Sequence, residues 1–302
     1  MNKKNNHKKL ITAIILTYNE EKHISRCINS VLNFVEEIVV IDSGSNDKTI
    51  DIVNSIPNTR LVKNKFINQA KQINWALDNL EFKTDWLFRI DADEHIDHDF
   101  VNEISNFLKL NQDKFDGVSV LRKLIFFKKE ISYGGQFPHK TVRLWKKNKG
   151  RSQDLWMDEQ ISVDGKVYNF DKFIIDENLN DIKWWINKHK KYAQREALSF
   201  FLVNDKKTLI KKPSDKSKNN KYYKYKIYYK MPMFIRPLAL FIYNYIYKLG
   251  FLCGWQGLVY YIIQMIWYRF LTDLNIYKIK SKMQNQNKSL SEVIKSLFSY
   301  EI

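Results

Sequence analysis

Two aspartates one residue apart, Asp91 and Asp93, follow the apolar run Trp86–Ile90. Carboxylate oxygens are hard ligands, and two of them on one side of an extended segment suit Mn²⁺ or Mg²⁺ bridging a diphosphate. A cation held there neutralises the charge that grows on a departing nucleoside diphosphate. Asp91 and Asp93 are therefore the expected metal ligands, with Asp91 and Ala92 also counted as donor-binding. The bland alternative is a solvated acidic turn. A second carboxylate, Asp42, follows Val39-Val40-Ile41 and opens the turn Ser43-Gly44-Ser45-Asn46-Asp47. At a strand end it can accept hydrogen bonds from a base or ribose; the competing role is turn chemistry and helix capping, which Asp47 also serves. Thr17, Tyr18, Asn19 and Glu20 leave the first apolar run, where Tyr18 could stack on a base.

Chemistry at these points needs elements that bring them to one place. Leu10–Leu16 is a short continuous apolar run, as expected of a parallel strand covered on both faces. Glu21–Phe34 carries Ile24, Cys27, Ile28, Val31 and Leu32 at helical spacing. Glu37–Ile41 and Arg60–Val62 read as strands, Asp47–Ile56 and Ile67–Leu80 as helices, and Trp86–Ile90 as a fourth strand. This alternation predicts an α/β fold with an open, mostly parallel sheet and helices on both faces. Ligands in such sheets bind beyond the carboxyl ends of the strands, where all three polar clusters fall. Further strands are expected at Val118–Leu121 and Thr141–Trp145, an acidic patch at Trp156–Gln160, and a helix over Asp181–Phe201.

The chain has 302 residues, 44% of them hydrophobic, which excludes wholesale disorder, and a net charge of +17. That charge is uneven. Residues 1–180 hold 27 Lys and Arg against 26 acids, a net +1, whereas residues 181–302 hold 23 against 7, a net +16. Cys27 and Cys253 are far apart and read as reduced, packed residues, which fits a cytosolic setting. The short apolar run after Met1–Lys9 does not read as a secretory signal. Lys206–Lys230 reads as a basic linker. Leu249–Tyr268 lacks charge but is interrupted by Gly250, Gly254, Gln256, Gly257 and Gln264, which suits helices lying in a membrane interface or packed in a bundle rather than a span.

The three segments Ala13–Glu21, Val40–Thr49 and Arg89–Glu94, in this order and spacing, resemble the family 2 inverting glycosyltransferases of GT-A fold. Gly134-Gly135, Arg143-Leu144-Trp145, Trp156–Glu159, Lys188–Ala193, Arg236-Pro237 and Leu249-Gly250-Phe251 resemble the branch that builds lipopolysaccharide cores, capsules and exopolysaccharides. The resemblance covers about residues 10–277. It implies that Asp91 and Asp93 form the metal and diphosphate motif, and that Tyr18 and Asp42 meet the donor nucleotide. Relatives often carry two adjacent acids after the second strand, the second reading uracil. Here that position is Ser43, so the UDP-linked donor implied by the family lacks its usual reader. Asp158-Glu159 falls where the family places the catalytic base, with Asp158 slightly preferred. Lys71 is expected near the diphosphate, and Asn74 lies on the helix that runs beside the donor in relatives.

The expected organisation is a catalytic domain over 1–205 (nucleotide half 10–95, acceptor half 96–205), a basic linker over 206–230, and a helical, membrane-associating region over 231–302. The expected activity is transfer of a sugar from a nucleotide-sugar donor to a glycan or lipid-linked acceptor, with no nucleic-acid partner. The enzyme would be cytoplasmic, peripheral at the inner face of an anionic membrane. Two alternatives compete. A nucleotidyltransferase would need a Gly-rich phosphate loop where Thr17–Glu20 stands. A basic nucleic-acid-binding protein would use the lysines and tyrosines of 206–230 and leave the strand-end motifs unexplained.

Overall fold

A computed structural model of the chain describes residues 9–157, 159–205 and 224–300. It divides into two compact units. One comprises Met1–Glu130, Pro138–Leu155 and Glu159–Leu179; the other comprises Ile131–Phe137, Trp156–Asp158 and Asn180–Ile302.

The first unit is built on β1 (Ile11–Thr17), β2 (Glu37–Asp42), β3 (Thr59–Lys63) and β4 (Trp86–Asp91), joined through α1 (Ile24–Val31), α2 (Thr49–Ser55) and α3 (Gln69–Asn79). The strands are parallel, in the order β3-β2-β1-β4. Alternation along β1 explains why its sequence is apolar throughout. Ile11, Ala13 and Ile15 pack with Ile24, Cys27, Ile28 and Val31 on one face, and Ile14 packs with Ile73 and Ala76 on the other. Ile14 is fully buried, so its truncation to alanine is expected to cost about 2–5 kcal/mol.

Beyond β4 the sheet changes character. The chain turns at Ala92-Asp93 into β5 (Glu94–His95), then forms α4 (His98–Asn111), whose first turn Asp97 caps by accepting from Phe100 N at 2.8 Å. β6 (Gly117–Phe126), β7 (Lys129–Glu130) and β8 (His139–Lys146) follow, with β9 (Gly150–Ser152) and β10 (Ile161–Val163) pairing as a separate ribbon before β11 (Val167–Glu177). The sheet continues β4-β8-β6-β11-β5, with β7 on β6. β8 runs antiparallel to both β4 and β6, while β11 runs parallel to β6. A parallel nucleotide-binding half thus carries a mixed extension, and α1, α2 and α4 cover one face while α3 covers the other.

The second unit is helical. It holds α5 (Ile182–Asp205), α6 (Arg236–Phe241), α7 (Gly254–Tyr261), α8 (Tyr268–Gln286) and α9 (Leu290–Phe298). The chain stays helical with π geometry after α6 over Ile242–Tyr247 and between α7 and α8 over Ile262–Trp267. Ala197 of α5 shares a core with Ile276 and Ile279 of α8 and Val293 of α9. The sheet unit ends at Leu179, and α5, which falls before the expected domain end at residue 205, groups with the C-terminal helices. Most of the expected linker, residues 206–223, lies outside the described residues. The uncharged stretch 249–268 is not one helix: Leu249 has φ 60°, Gly250–Cys253 is a 3₁₀ turn, and α7 starts at Gly254.

Gly134 shows why the segment 131–137 belongs with these helices. Its φ is +92°, and a Cβ there would lie 1.9 Å from the Tyr261 hydroxyl. Its N–H donates to Lys248 O at 2.9 Å. Both cysteines are free and buried, and burial pushes the Cys27 thiol well up.

Candidate active site

Parallel register brings the three sequence motifs to one edge. Thr17 at the end of β1 pairs with Asp42 at the end of β2, Asp42 pairs with Lys63 of β3, and Leu16 pairs with Asp91 of β4. The loops that leave β1 and β2 then bond to each other. Asn19 N donates to Ser45 Oγ at 2.9 Å, Asn46 N to Asn19 Oδ1 at 2.9 Å, and Glu20 N to Thr49 Oγ1 at 2.8 Å. Glu21 N donates to Asp47 Oδ2 at 3.2 Å, and Lys48 N returns to Glu21 Oε2 at 3.1 Å. Asn19 has φ 55°, a conformation that asparagine tolerates better than most residues.

Several of the residues expected at the donor are also bonded within these loops. Asp42 is fully buried, and its Oδ2 accepts from Gly44 N at 2.8 Å and Ser45 N at 2.9 Å. Its Oδ1 accepts from the Ser45 hydroxyl. Turn chemistry, weighed against nucleotide binding for Asp42, accounts for these bonds, and Gly44 at φ +95° completes the turn. Asp47 accepts from Thr49 N at 3.0 Å, as a cap does. Glu20 stands with Oε2 2.7 Å from His23 Nδ1. His23 Nε2 accepts from Leu179 N at 2.7 Å, which leaves Nδ1 to carry the ring proton toward Glu20. Tyr18 remains open at 54% exposure, able to stack on a base. Thr17 Oγ1 is buried with no hydrogen-bond partner among the described residues. Ser43 Oγ accepts from Gln72 Nε2 at 3.2 Å.

The aspartate pair does not lie on a continuing strand. β4 ends at Asp91, and the turn at Ala92-Asp93 sends the two carboxylates to different partners. Asp91 Oδ1 accepts from Arg89 Nε at 3.1 Å, and Oδ2 from Arg143 at 3.3 Å. Burial works to raise the Asp91 carboxyl, but the guanidinium groups of Arg89 and Arg143 outweigh it and hold the carboxyl well below the usual range. Asp93 Oδ2 accepts from Asn178 Nδ2 at 3.2 Å. Glu94, almost fully buried, accepts from Asp91 N at 2.9 Å and from Arg143. Burial pushes its carboxyl up against the pull of Arg143. Arg122 NH1 stands 3.7 Å from Glu94 and 3.9 Å from Asp176.

Glu159 joins this group through a single guanidinium. Its Oε1 accepts from Arg89 NH2 at 3.1 Å, so Arg89 bridges Glu159 and Asp91. Burial pushes the Glu159 carboxyl up, opposed by Arg89. Asp158 lies outside the described residues. Asn74 is occupied with the edge of β9: it accepts from Ser152 N at 3.0 Å and donates to Ser152 O at 2.9 Å. That pairing ties α3 to β9. Lys71 is exposed on α3, and its backbone N–H is capped by Asn68 Oδ1 at 2.7 Å.

The donor set can be tested against the expected cation. Among the described residues no three His, Cys, Asp or Glu side chains converge as a metal cage. Two guanidinium groups face Asp91, which disfavours a cation on its oxygens; Asp93 is the better protein ligand. In this cluster Asp91, Asp93, Glu94, Glu159, Asp176 and Glu177 face Arg26, Arg89, Arg122 and Arg143. Six carboxylates against four guanidinium groups leave an excess of two negative charges when all are ionised. One carboxylate ligand plus a surplus of negative charge fits Mg²⁺ or Mn²⁺ shared with a diphosphate, the usual way such ions are held.

The arginines were missed from sequence. Arg89 interrupts the apolar run of β4 two residues before Asp91, so alternation alone puts both side chains on one face. Arg143 stands two residues before Trp145 in β8 by the same logic.

Comparison with known proteins follows this geometry. The family model described as glycosyl transferase family 2 matches residues 12–164. The lipopolysaccharide core biosynthesis glycosyltransferase LpsC of Rhizobium meliloti is 28% identical over 287 residues, 89% of this chain and 92% of that protein. An uncharacterised glycosyltransferase of Rickettsia bellii is 38% identical over 108 residues, 35% of this chain and 36% of its own length. This chain thus spans little more than a third of that relative. The crystal structure of S. aureus TarS 1–349 superposes with a TM-score of 0.45 at 14% identity, covering 92% of each chain.

Proposed function

This chain belongs to glycosyl transferase family 2, and from that premise we propose that it transfers a sugar, with inversion, from a nucleotide-sugar donor to a hydroxyl of a glycan or lipid-linked acceptor. The observation that carries this reading is the convergence of Tyr18, Asp91, Asp93 and Glu159 at the carboxyl edge of a parallel sheet. The likeness to LpsC along most of both chains supports a place in lipopolysaccharide or related surface-polysaccharide synthesis. The family resemblance supports a UDP-linked donor.

In this reading Tyr18 stacks on the base, and the laced loops after β1 and β2 give that ring a rigid platform. Asp93 would hold Mn²⁺ or Mg²⁺, which would offset charge on the leaving diphosphate. Asp91, fixed by Arg89 and Arg143, orients the strand end rather than ligating the cation. Glu159 accepts the proton of the acceptor hydroxyl. The acceptor's oxygen attacks the sugar carbon from the face opposite the diphosphate, and the bond between that carbon and the diphosphate breaks with its electron pair leaving on the diphosphate. A carboxyl raised by burial is a stronger base once its partner Arg89 shifts toward Asp91.

The experiment is incubation with a panel of nucleotide sugars and delipidated or lipid-linked glycan acceptors, followed by analysis of both products. The reading expects release of nucleoside diphosphate and a glycosidic bond of opposite anomeric configuration to the donor. Release of pyrophosphate, or retention of configuration, would contradict it.

A further inference from the structure

The helical unit turns an unusual number of apolar side chains outward over residues 234–262. Arg236 and Asn244 are buried, at 2% and 3% exposure, while the apolar residues around them face outward. On the helix from α6 through Tyr247, Ile235, Leu238, Ile242 and Ile246 are exposed at spacings of three and four. On the next helix Phe251, Trp255, Leu258 and Ile262 repeat the pattern. A water-facing helix places its apolar stripe inward and its polar stripe outward. The first of these helices does the reverse, and the second, which buries Cys253, Gly257, Tyr260 and Tyr261, carries apolar residues on both faces. Of the 24 large apolar side chains exposed among the described residues, 13 fall within these 29 positions. Scattered exposed apolar residues are ordinary, but a concentration of this kind marks an interaction surface.

The buried polar groups are satisfied without water. Arg236 Nε donates to Asp273 Oδ1 at 2.9 Å, and Asn244 Nδ2 donates to Leu240 O at 2.8 Å. The occupant of the outer face follows from charge and length. Residues 224–300 hold eleven Lys and Arg against two acids, a net +9. Cationic groups beside an apolar face suit an anionic lipid leaflet, where side chains enter the acyl boundary and ammonium groups meet phosphates.

No single helix among the described residues is long and apolar enough to cross a membrane. The pair Arg236–Tyr247 and Gly250–Gln286 passes together but bends by 74°. The first arm, twelve residues, spans about 18 Å, short of the roughly 30 Å hydrocarbon core. The bend itself carries Lys248, exposed and lying 5.6 Å from the Tyr243 ring centroid and 5.9 Å from that of Tyr247. A cation over two tyrosines belongs at the headgroup level and not at the bilayer centre. We propose that this bent helical pair is a monotopic anchor. It lies in one leaflet of an anionic membrane, with Ile242, Ile246, Phe251 and Trp255 in the acyl boundary and Lys248 at the phosphates.

The test is flotation of the full chain with vesicles of phosphatidylglycerol and phosphatidylethanolamine, alongside phosphatidylcholine vesicles. The wild type should float with the anionic vesicles and at least tenfold less with the neutral ones. The Ile242→Ser/Ile246→Ser/Trp255→Ser variant should float at least tenfold less while keeping its helical circular dichroism and its nucleotide binding. A variant that misfolds is replaced by Lys248→Glu, which should lower anionic flotation severalfold. Flotation of the wild type with neither vesicle, or unchanged by these substitutions, would overturn the proposal. So would a discrete dimer in buffer that the same substitutions split, since the face would then join two copies of this chain. Nucleotide binding is read separately, so failure here leaves the sugar-transfer reading standing.

Discussion

In the sheet unit Arg89 and Arg143 each reach two carboxylates at a strand end, and the surrounding acids still outnumber the guanidinium groups. In the helical unit the balance reverses. Arg236 is matched to the single carboxylate of Asp273, and Glu196 is met by Arg269, Lys224 at 2.8 Å and the hydroxyls of Tyr229 and Tyr268. The contrast teaches what a buried ion pair is for in each place. A closed pair staples helices together, whereas the open, acid-rich network holds a fixed geometry and keeps an excess of negative charge.

Removing one partner of the closed pair should have the largest effect. Asp273→Ala leaves Arg236 buried without its counter-charge and should cost about 3–5 kcal/mol, read as a lowered Tm of the helical unit. A shift no larger than that of a surface substitution would erase the contrast. In the open network the loss should fall on turnover instead. Glu159→Gln should lower kcat by about 10³-fold, roughly 4 kcal/mol of barrier, with a smaller change in Tm than Asp273→Ala produces. Intact kcat with a collapsed Tm would mean that Glu159 is a staple too.

The pH response should also differ between the units. His189 of α5 is half-buried, its Nδ1 2.9 Å from Trp185 O and its ring stacked on Trp185. Burial lowers its pKa to about 4. The folded state then binds fewer protons than the unfolded state between about pH 6.5 and 4. The stability of the helical unit is complete above that window and falls as pH drops through it, by about 3 kcal/mol in all. Urea melts of the wild type and of His189→Phe at pH 7 and pH 4.5 check this: the substitution should flatten the dependence. The smallest effect belongs to Asn74→Ala, which breaks two bonds to Ser152. It should cost about 1–2 kcal/mol in stability and leave donor affinity unchanged.

What could be read from sequence tracks how each segment is covered. β1, β2 and β4 were legible because strands buried on both faces are dominated by apolar residues, and the helices between them keep a clean spacing. β11 was not, because much of it is half-exposed and its Tyr168, Asp171 and Lys172 break the pattern. α4 was overlooked although Asp97, Phe100, Ile104 and Leu108 give it a cap and a buried stripe. At the site the motif positions were legible, but not the geometry. Period-two alternation placed Asp91 and Asp93 side by side, and the turn at Ala92 separates them. For Asp42 both nucleotide binding and turn chemistry were legible, but not the Gly44 and Ser45 amides that occupy it, which leave no mark in composition. Arg89 and Arg143 were missed, although Arg89 stands as a charge inside the apolar run of β4, two residues before Asp91.

The central claim is that a divalent cation on Asp93 completes an acid-rich network and holds the donor diphosphate. Titration calorimetry of a UDP-linked sugar into wild type and Asp93→Ala, each with Mn²⁺ and with chelator, tests it most directly. The account predicts binding to the wild type only with Mn²⁺, and loss of that binding in Asp93→Ala. Equal affinity in all four titrations would contradict it.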